Sequence, residues 1–241
     1  KTGLVSAMLA NNETGAIQPI AELAALTKAK GALLHTDAVQ AFGKLEVDFG
    51  ALGVNAMTIS SHKIGGPVGV GALILDKRVD IAPLLHGGGQ ERGLRSGTEN
   101  VAGIVGFAEA CKLAVATLKT RSSAQTILRD QLEIGLRGLD AVIFGQQATR
   151  LPNTSFFAIP NIEGETLVTA LDKAGYAVAS GSACSSDSTE PSHVLLDLGV
   201  EPALARSAVR VSLDDSNTEA EIQGFLKALQ QEVKRIRGLN A

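Results

Sequence analysis

The feature that most constrains this chain is a succession of short, unbroken apolar runs separated by helix or loop signals. Residues 4–9, 32–35, 56–60 and 71–75 read as strands. Strands this continuously apolar are buried on both faces, as in a mostly parallel sheet covered by helices. Residues 19–30 read as a helix between the first two strands, with Pro19 near its first turn and Gly31 just past its end. The expected fold class is therefore α/β with a covered, largely parallel sheet. Ligands of such sheets sit outside the carboxyl ends of the strands. Asp37 and residues 60–63 fall at such ends, and Asn11 and Asn12 follow the first strand.

Residues 86–98 form a glycine-rich loop, and 99–120 read as a long helix. Its apolar stripe is Val101, Ile104, Ala108, Cys111, Val115 and Leu118, with Thr98 as N-cap and Glu99 in the first turn. From residue 121 the pattern changes. A helix over 124–136, strands near 141–144 and 153–159, and a helix over 164–174 come first. A strand near 177, a long polar loop, a strand over 208–213 and a last helix over 218–236 follow. Thr218 and Glu221 suit a capping box. Two domains are expected: a large one over 1–120 and a smaller α+β one over 121–241.

The chain has 241 residues, 45% hydrophobic and 20% charged, enough to build a core without disulfides or metals. Its net charge is −3 and it has no run of Lys and Arg, which argues against nucleic acid as a partner. The apolar runs are too short for a membrane span. Two cysteines, Cys111 and Cys184, are too few for a disulfide framework or a four-cysteine zinc site. No metal site is expected, and a reducing compartment is.

Several segments carry chemistry. In Ser60-Ser61-His62-Lys63-Ile64-Gly65-Gly66-Pro67 a lysine follows an apolar strand and enters a glycine turn. Such a group can hold an aldehyde cofactor by its amine and its phosphate, since a sheltered lysine can become a nucleophile. The alternative is a strand end with an exposed lysine. Asp37, with Gln40 three residues on, can keep a pyridinium nitrogen protonated, or can simply open a turn. Asn12 can donate to a ring hydroxyl or a substrate carboxylate, or form a turn before Gly15. The loop Gly87 to Thr98, with Arg92 and Arg95, suits phosphate at a helix start. Arg210 alternates with apolar residues and either binds a carboxylate or lies exposed on its strand. Cys184 lies among small polar residues, which marks it as exposed and reactive; Cys111 lies on an apolar stripe, which marks it as core.

Together these segments resemble the cysteine desulfurases of the NifS/IscS type, in the class V aminotransferase group of fold-type I pyridoxal 5'-phosphate (PLP) enzymes. The resemblance runs over essentially the whole chain. It is carried by Asn11-Asn12-Glu13-Thr14-Gly15, His35-Thr36-Asp37-Ala38-Val39-Gln40, Ser60-Ser61-His62-Lys63, Arg95-Ser96-Gly97-Thr98, Ser180-Gly181-Ser182-Ala183-Cys184-Ser185 and Val209-Arg210-Val211-Ser212. It implies that Lys63 forms the Schiff base with PLP, Asp37 pairs with the pyridinium nitrogen and Gln40 bonds the ring hydroxyl. Ser60 and His62 would hold the phosphate, and Thr98 would reach the phosphate of the other subunit's cofactor in a homodimer. Asn12 and Arg210 would hold the substrate carboxylate, and Cys184 would accept sulfur.

The implied reaction converts L-cysteine to L-alanine and leaves a persulfide on Cys184 for iron–sulfur cluster assembly. The implied partners are a cluster scaffold or another sulfur acceptor, and the implied location is cytoplasmic, with an organelle open. Alternatives are another class V enzyme, such as a selenocysteine lyase or an aminotransferase, or a non-catalytic interaction protein. The chain begins at Lys1 directly before a strand. The resemblance implies that a further N-terminal part, with a histidine that stacks on the cofactor ring, lies outside it.

Overall fold

A computed structural model of the chain describes residues 2–181 and 190–239. It divides into two compact units, Lys1–Ala10 with Gln18–Leu118, and Asn11–Ile17 with Lys119–Ala241.

The first unit contains β1 (Leu4–Met8), α1 (Ile20–Ala29), β2 (Leu33–Asp37), α2 (Phe49–Leu52), β3 (Ala56–Ser60), β4 (Gly71–Leu75) and α3 (Val101–Ala116). The sheet order is β1-β2-β3-β4. The first two pairings are parallel and β3–β4 is antiparallel. That last pairing departs from the parallel tendency for a simple reason. Only residues 61–70 join β3 to β4, with a four-residue 3-10 turn, Ser61–Ile64, among them. A parallel return needs a crossover of a dozen or more residues.

The expectation of a sheet covered on both faces holds for one face only. Leu34 and Thr36 point to the helix side and are fully buried. Register puts Leu4, Met8, Leu33 and Leu73 on the same face as Asp37. Leu4 and Leu73 there are 60% and 48% exposed.

The helix expected over 99–120 begins at Val101, and its cap is Asn100, whose Oδ1 accepts from Gly103 N at 3.1 Å. Thr98 is therefore not the cap. The buried face is also not the expected one: it is Gly103, Phe107, Ala110 and Ala114, while Val101, Ile104 and Val115 are exposed. Small residues win because this helix approaches the turn after β3 very closely. A Cβ on Gly106 would lie 2.6 Å from Pro67 Cγ, and one on Gly66 3.0 Å from Ala110 Cβ. Bulky side chains at those contacts would hold helix and turn apart.

The second unit contains α4 (Leu118–Arg137), β5 (Val142–Ile143), β6 (Thr154–Ala158), α5 (Gly164–Lys173), β7 (Ala179–Ser180), α6 (His193–Asp197), α7 (Pro202–Arg206), β8 (Ala208–Ser212) and α8 (Glu219–Leu239). Its sheet is antiparallel, in the order β5-β6-β8-β7. Both faces are filled. Phe157 packs with Leu132, Leu167, Val209 and Leu229, while Phe156 on the opposite face packs with Phe144, Leu195 and Ala205. Burying each such side chain contributes about 1.5–3 kcal/mol. The capping box of the last helix is present: Glu221 Oε2 accepts from Thr218 N at 2.7 Å and Thr218 Oγ1 accepts from Glu221 N at 3.3 Å.

Residues 11–17, expected in the first domain by chain order, are tied into the second unit. Ile17 N donates to Thr149 O at 2.9 Å and Leu151 N to Gly15 O at 2.9 Å. Glu133, 3% exposed, anchors the same region through a two-pronged bond from Arg150 at 2.7 and 3.0 Å and a third from Ser155 Oγ at 3.0 Å. Among the described residues, no single helix is long and apolar enough to cross a membrane.

Candidate active site

In the first unit the polar residues gather where β2 and β3 end. Asp37 closes β2 and pairs in register with Thr58; Ser60 closes β3 two residues later. At the strand rise, Ser60 is about 7 Å further along than Thr58. Asp37 Oδ1 accepts from Val39 N at 2.9 Å, which fixes the carboxylate and leaves Oδ2 for a ligand. Gln40 Oε1 accepts from Lys44 Nζ at 3.1 Å, which leaves its amide hydrogens as donors.

Ser60 Oγ and His62 Nδ1 lie 3.0 Å apart, so hydroxyl and imidazole form one paired unit. Lys63 follows on the 3-10 turn, and Gly65 ends that turn at φ 79°, a conformation few other residues adopt. Lys63 is exposed, so the sheltered pocket anticipated for it is not formed by the described residues. Its backbone is nevertheless tightly held. A Cβ on Gly66 would lie 2.2 Å from Ser61 Oγ, and one on Gly43 2.7 Å from Ile64 Cγ2.

The donor set has two distinct ends. A carboxylate at β2 suits a protonated ring nitrogen. Hydroxyl and imidazole at β3 suit a phosphate, and the Lys63 side chain, as its free amine, suits an aldehyde carbon. These residues fit a phosphorylated pyridine aldehyde.

The loop 86–98 is closed by its own polar groups: Ser96 Oγ accepts from Gly89 N at 3.4 Å and Gln90 Oε1 from Gly97 N at 3.1 Å. Glu91 and Arg92 take φ of 50° and 59°, a strained pair for residues other than glycine. Arg92, Arg95 and Thr98 are exposed on it.

In the second unit Asn12 and Arg210 meet. Arg210, half-buried on β8, donates from Nη1 to Asn12 O at 2.9 Å. Asn11 Oδ1 accepts from Glu13 N at 2.9 Å and Thr14 N at 2.8 Å, which shapes the turn. Arg210 keeps further N–H donors for a carboxylate. Sequence reasoning gave Glu13 no role, yet it is 9% exposed and accepts a hydrogen bond from Ser192 Oγ. Burial pushes its carboxyl above the usual range; Ser192, Arg210 and His193 oppose that rise. The one available signal was a charged residue inside a tight turn, and turns usually face water.

Cys184 lies outside the described residues. Cys111, expected in the core, is only half-buried, and burial raises its thiol above the ordinary value. A cleft of about 410 Å³ in the second unit, lined in part by Thr166, Lys173, Gly181, Pro191 and Arg206, contains neither Asn12 nor Arg210. Among the described residues, no group of three His, Cys, Asp or Glu side chains is placed to hold a metal.

The class-V aminotransferase family model matches residues 1–225, and the chain belongs to that family. Its α/β architecture, with a mixed, mostly parallel sheet, is that of fold-type I. Within the family it is similar to the cysteine desulfurases of the NifS/IscS type. It is 44% identical over 237 residues to an IscS-like cysteine desulfurase of Mycobacterium tuberculosis, covering 97% of this chain and 60% of that protein. It is 46% identical to a cysteine desulfurase of Cereibacter sphaeroides, covering 100% and 62%. A solved NifS-like protein superposes with a TM-score of 0.89 at 42% identity, covering 97% of this chain and 61% of the other. The chain thus spans about 60% of the length of these relatives.

Proposed function

We propose that the protein is a PLP-dependent cysteine desulfurase that converts L-cysteine to L-alanine and carries the sulfur as a persulfide on Cys184. The observation that supports this best is the cluster of Asp37, Ser60, His62 and Lys63 at the ends of two adjacent parallel strands. Asp37 would hold the ring nitrogen protonated, and Gln40 would donate to the ring hydroxyl. Ser60 and His62 would bind the phosphate, with Thr98 serving the cofactor of a second subunit in a homodimer. Lys63 would hold the aldehyde carbon. PLP, when bound, supplies an electron sink for an amino acid's α-carbon.

Asn12 and Arg210 orient the substrate carboxylate. The ε-amine of Lys63 would move the substrate's α-proton. The thiolate of Cys184 attacks the substrate sulfur. The S–S bond forms as the Cβ–S bond breaks, and the bond pair stays on carbon, which takes a proton as L-alanine leaves. The persulfide then passes to an iron–sulfur scaffold or another acceptor protein. A thiol with this task needs reducing surroundings, which favours the cytoplasm.

The test is spectroscopic. The purified protein with PLP should show a visible band that borohydride removes, with the label recovered on Lys63. Persulfide should then appear on Cys184 after L-cysteine. Cys184→Ser should abolish sulfur release; if it leaves desulfuration intact, or if no band forms, the reading fails.

A further inference from the structure

The chain on either side of residues 182–189 is anchored by pairing and burial. On the N-terminal side β7 pairs with β8, with Ala179 opposite Arg210 and Ser180 opposite Val209. Gly181 is buried; a Cβ there would lie 2.9 Å from Phe156 Cζ and 3.1 Å from Ser192 Cβ. The two flanks therefore touch, and only glycine fits between them. On the C-terminal side, Pro191 and Ser192 are buried.

Ser192 Oγ has one proton and gives it to Glu13 Oε2. The same oxygen accepts from Leu195 N at 3.2 Å and so caps α6. Glu13 adjoins Asn12, whose carbonyl accepts from Arg210. A single hydrogen-bonded block thus joins the 11–17 turn, β8 and the flank at Ser192.

A buried carboxylate is a costly way to make such a joint, because ions resist leaving water. A carboxylate acceptor also makes a stronger hydrogen bond than a neutral one. Arg210 and His193 act on it electrostatically and favour its ionised form.

We infer that Glu13 is a positioning residue: by accepting from Ser192 Oγ it fixes the C-terminal flank of the Cys184 segment to the turn that carries Asn12. The functional consequence rests on the desulfurase reading. The thiol would be delivered from a frame shared with the substrate-carboxylate seat.

Three variants of the PLP-loaded protein test this. Glu13→Met keeps the volume and removes the acceptor. Glu13→Gln keeps an oxygen acceptor, and Ser192→Ala breaks the bond from the other side. Alkylation of Cys184 by iodoacetamide, with Cys111 as internal reference, should speed up about threefold or more in Glu13→Met and Ser192→Ala, the loss of one buried bond. In Glu13→Gln, whose neutral acceptor bonds more weakly, it should return most of the way to the wild-type rate. Single-turnover persulfide formation should fall about tenfold in Glu13→Met, with the half-saturating L-cysteine concentration changed less than about twofold.

Unchanged alkylation and transfer in Glu13→Met, or no recovery in Glu13→Gln, overturns the anchor. If the wild type forms no persulfide but Glu13→Met still speeds alkylation, the anchor stands and the desulfurase reading falls. Should Glu13→Met not fold, the alkylation rate of Ser192→Ala against Glu13→Gln decides.

Discussion

The two units use their sheets in opposite ways. The second closes both faces of β6 and β8, with Phe157 on one side and Phe156 on the other, each fully buried. The first packs helices on one face and leaves Leu4, Met8, Leu33 and Leu73 open on the face that Asp37 shares. Within this chain the second unit has the more complete core, whereas the first displays most of the proposed cofactor residues at strand ends. Packing and chemistry are thus largely segregated, and mutations should separate them.

The largest expected contrast is between Phe157→Ala and Leu73→Ala. The first should cost about 3–5 kcal/mol in urea unfolding, through lost burial and a cavity. The second should cost under about 0.5 kcal/mol, as for exposed positions. A cost for Leu73 near that for Phe157 would mean that the open face is covered in solution and would erase the contrast.

Next comes Glu133. Removing it leaves Arg150 buried without its partner, so Glu133→Ala should cost about 3 kcal/mol or more. A double variant with Arg150→Met should recover part of that loss in the same unfolding assay. Full additivity would mean that the pair does not act as a unit.

Gly66→Ala probes the first unit where it is tightest. The added Cβ has no room beside Ser61 and Ala110, and overpacking of this kind costs about 1–3 kcal/mol. Because the same turn holds Lys63, PLP absorbance should weaken along with the melting temperature. A stable variant with a normal band would show that the turn yields.

The smallest effect concerns pH. Burial raises the Glu13 carboxyl above its unfolded value of 4.5. Its contribution to stability is therefore full below pH 4.5 and is lost as pH rises through the folded value. Glu13→Gln should gain on the wild type as pH increases over that window, read from unfolding midpoints. A gain in the opposite direction would mean that the Ser192 hydrogen bond, Arg210 and His193 together outweigh desolvation.

Much of the fold was legible because strands and caps are local. Continuous apolar runs gave β1 to β4 within a residue or two, and Thr218 with Glu221 gave the last helix start. The side of α3 that is buried was not legible. Its apolar stripe is real in the sequence, but close approach at Gly66 and Gly106 selects the small-residue face. Arg210 and Asn12 were each ambiguous alone; tertiary contact joins them through one hydrogen bond.

The sequence by itself determined the element order, the family and the residue types placed at the ends of β2 and β3, because period, turn chemistry and motif spacing are written along the chain. Only the tertiary structure decided that residues 11–17 belong to the second unit, that β4 returns antiparallel and that Glu13 is buried against Ser192. Those outcomes depend on which surfaces exclude water together, and residues 179 positions apart acquire that relation only when the chain has folded.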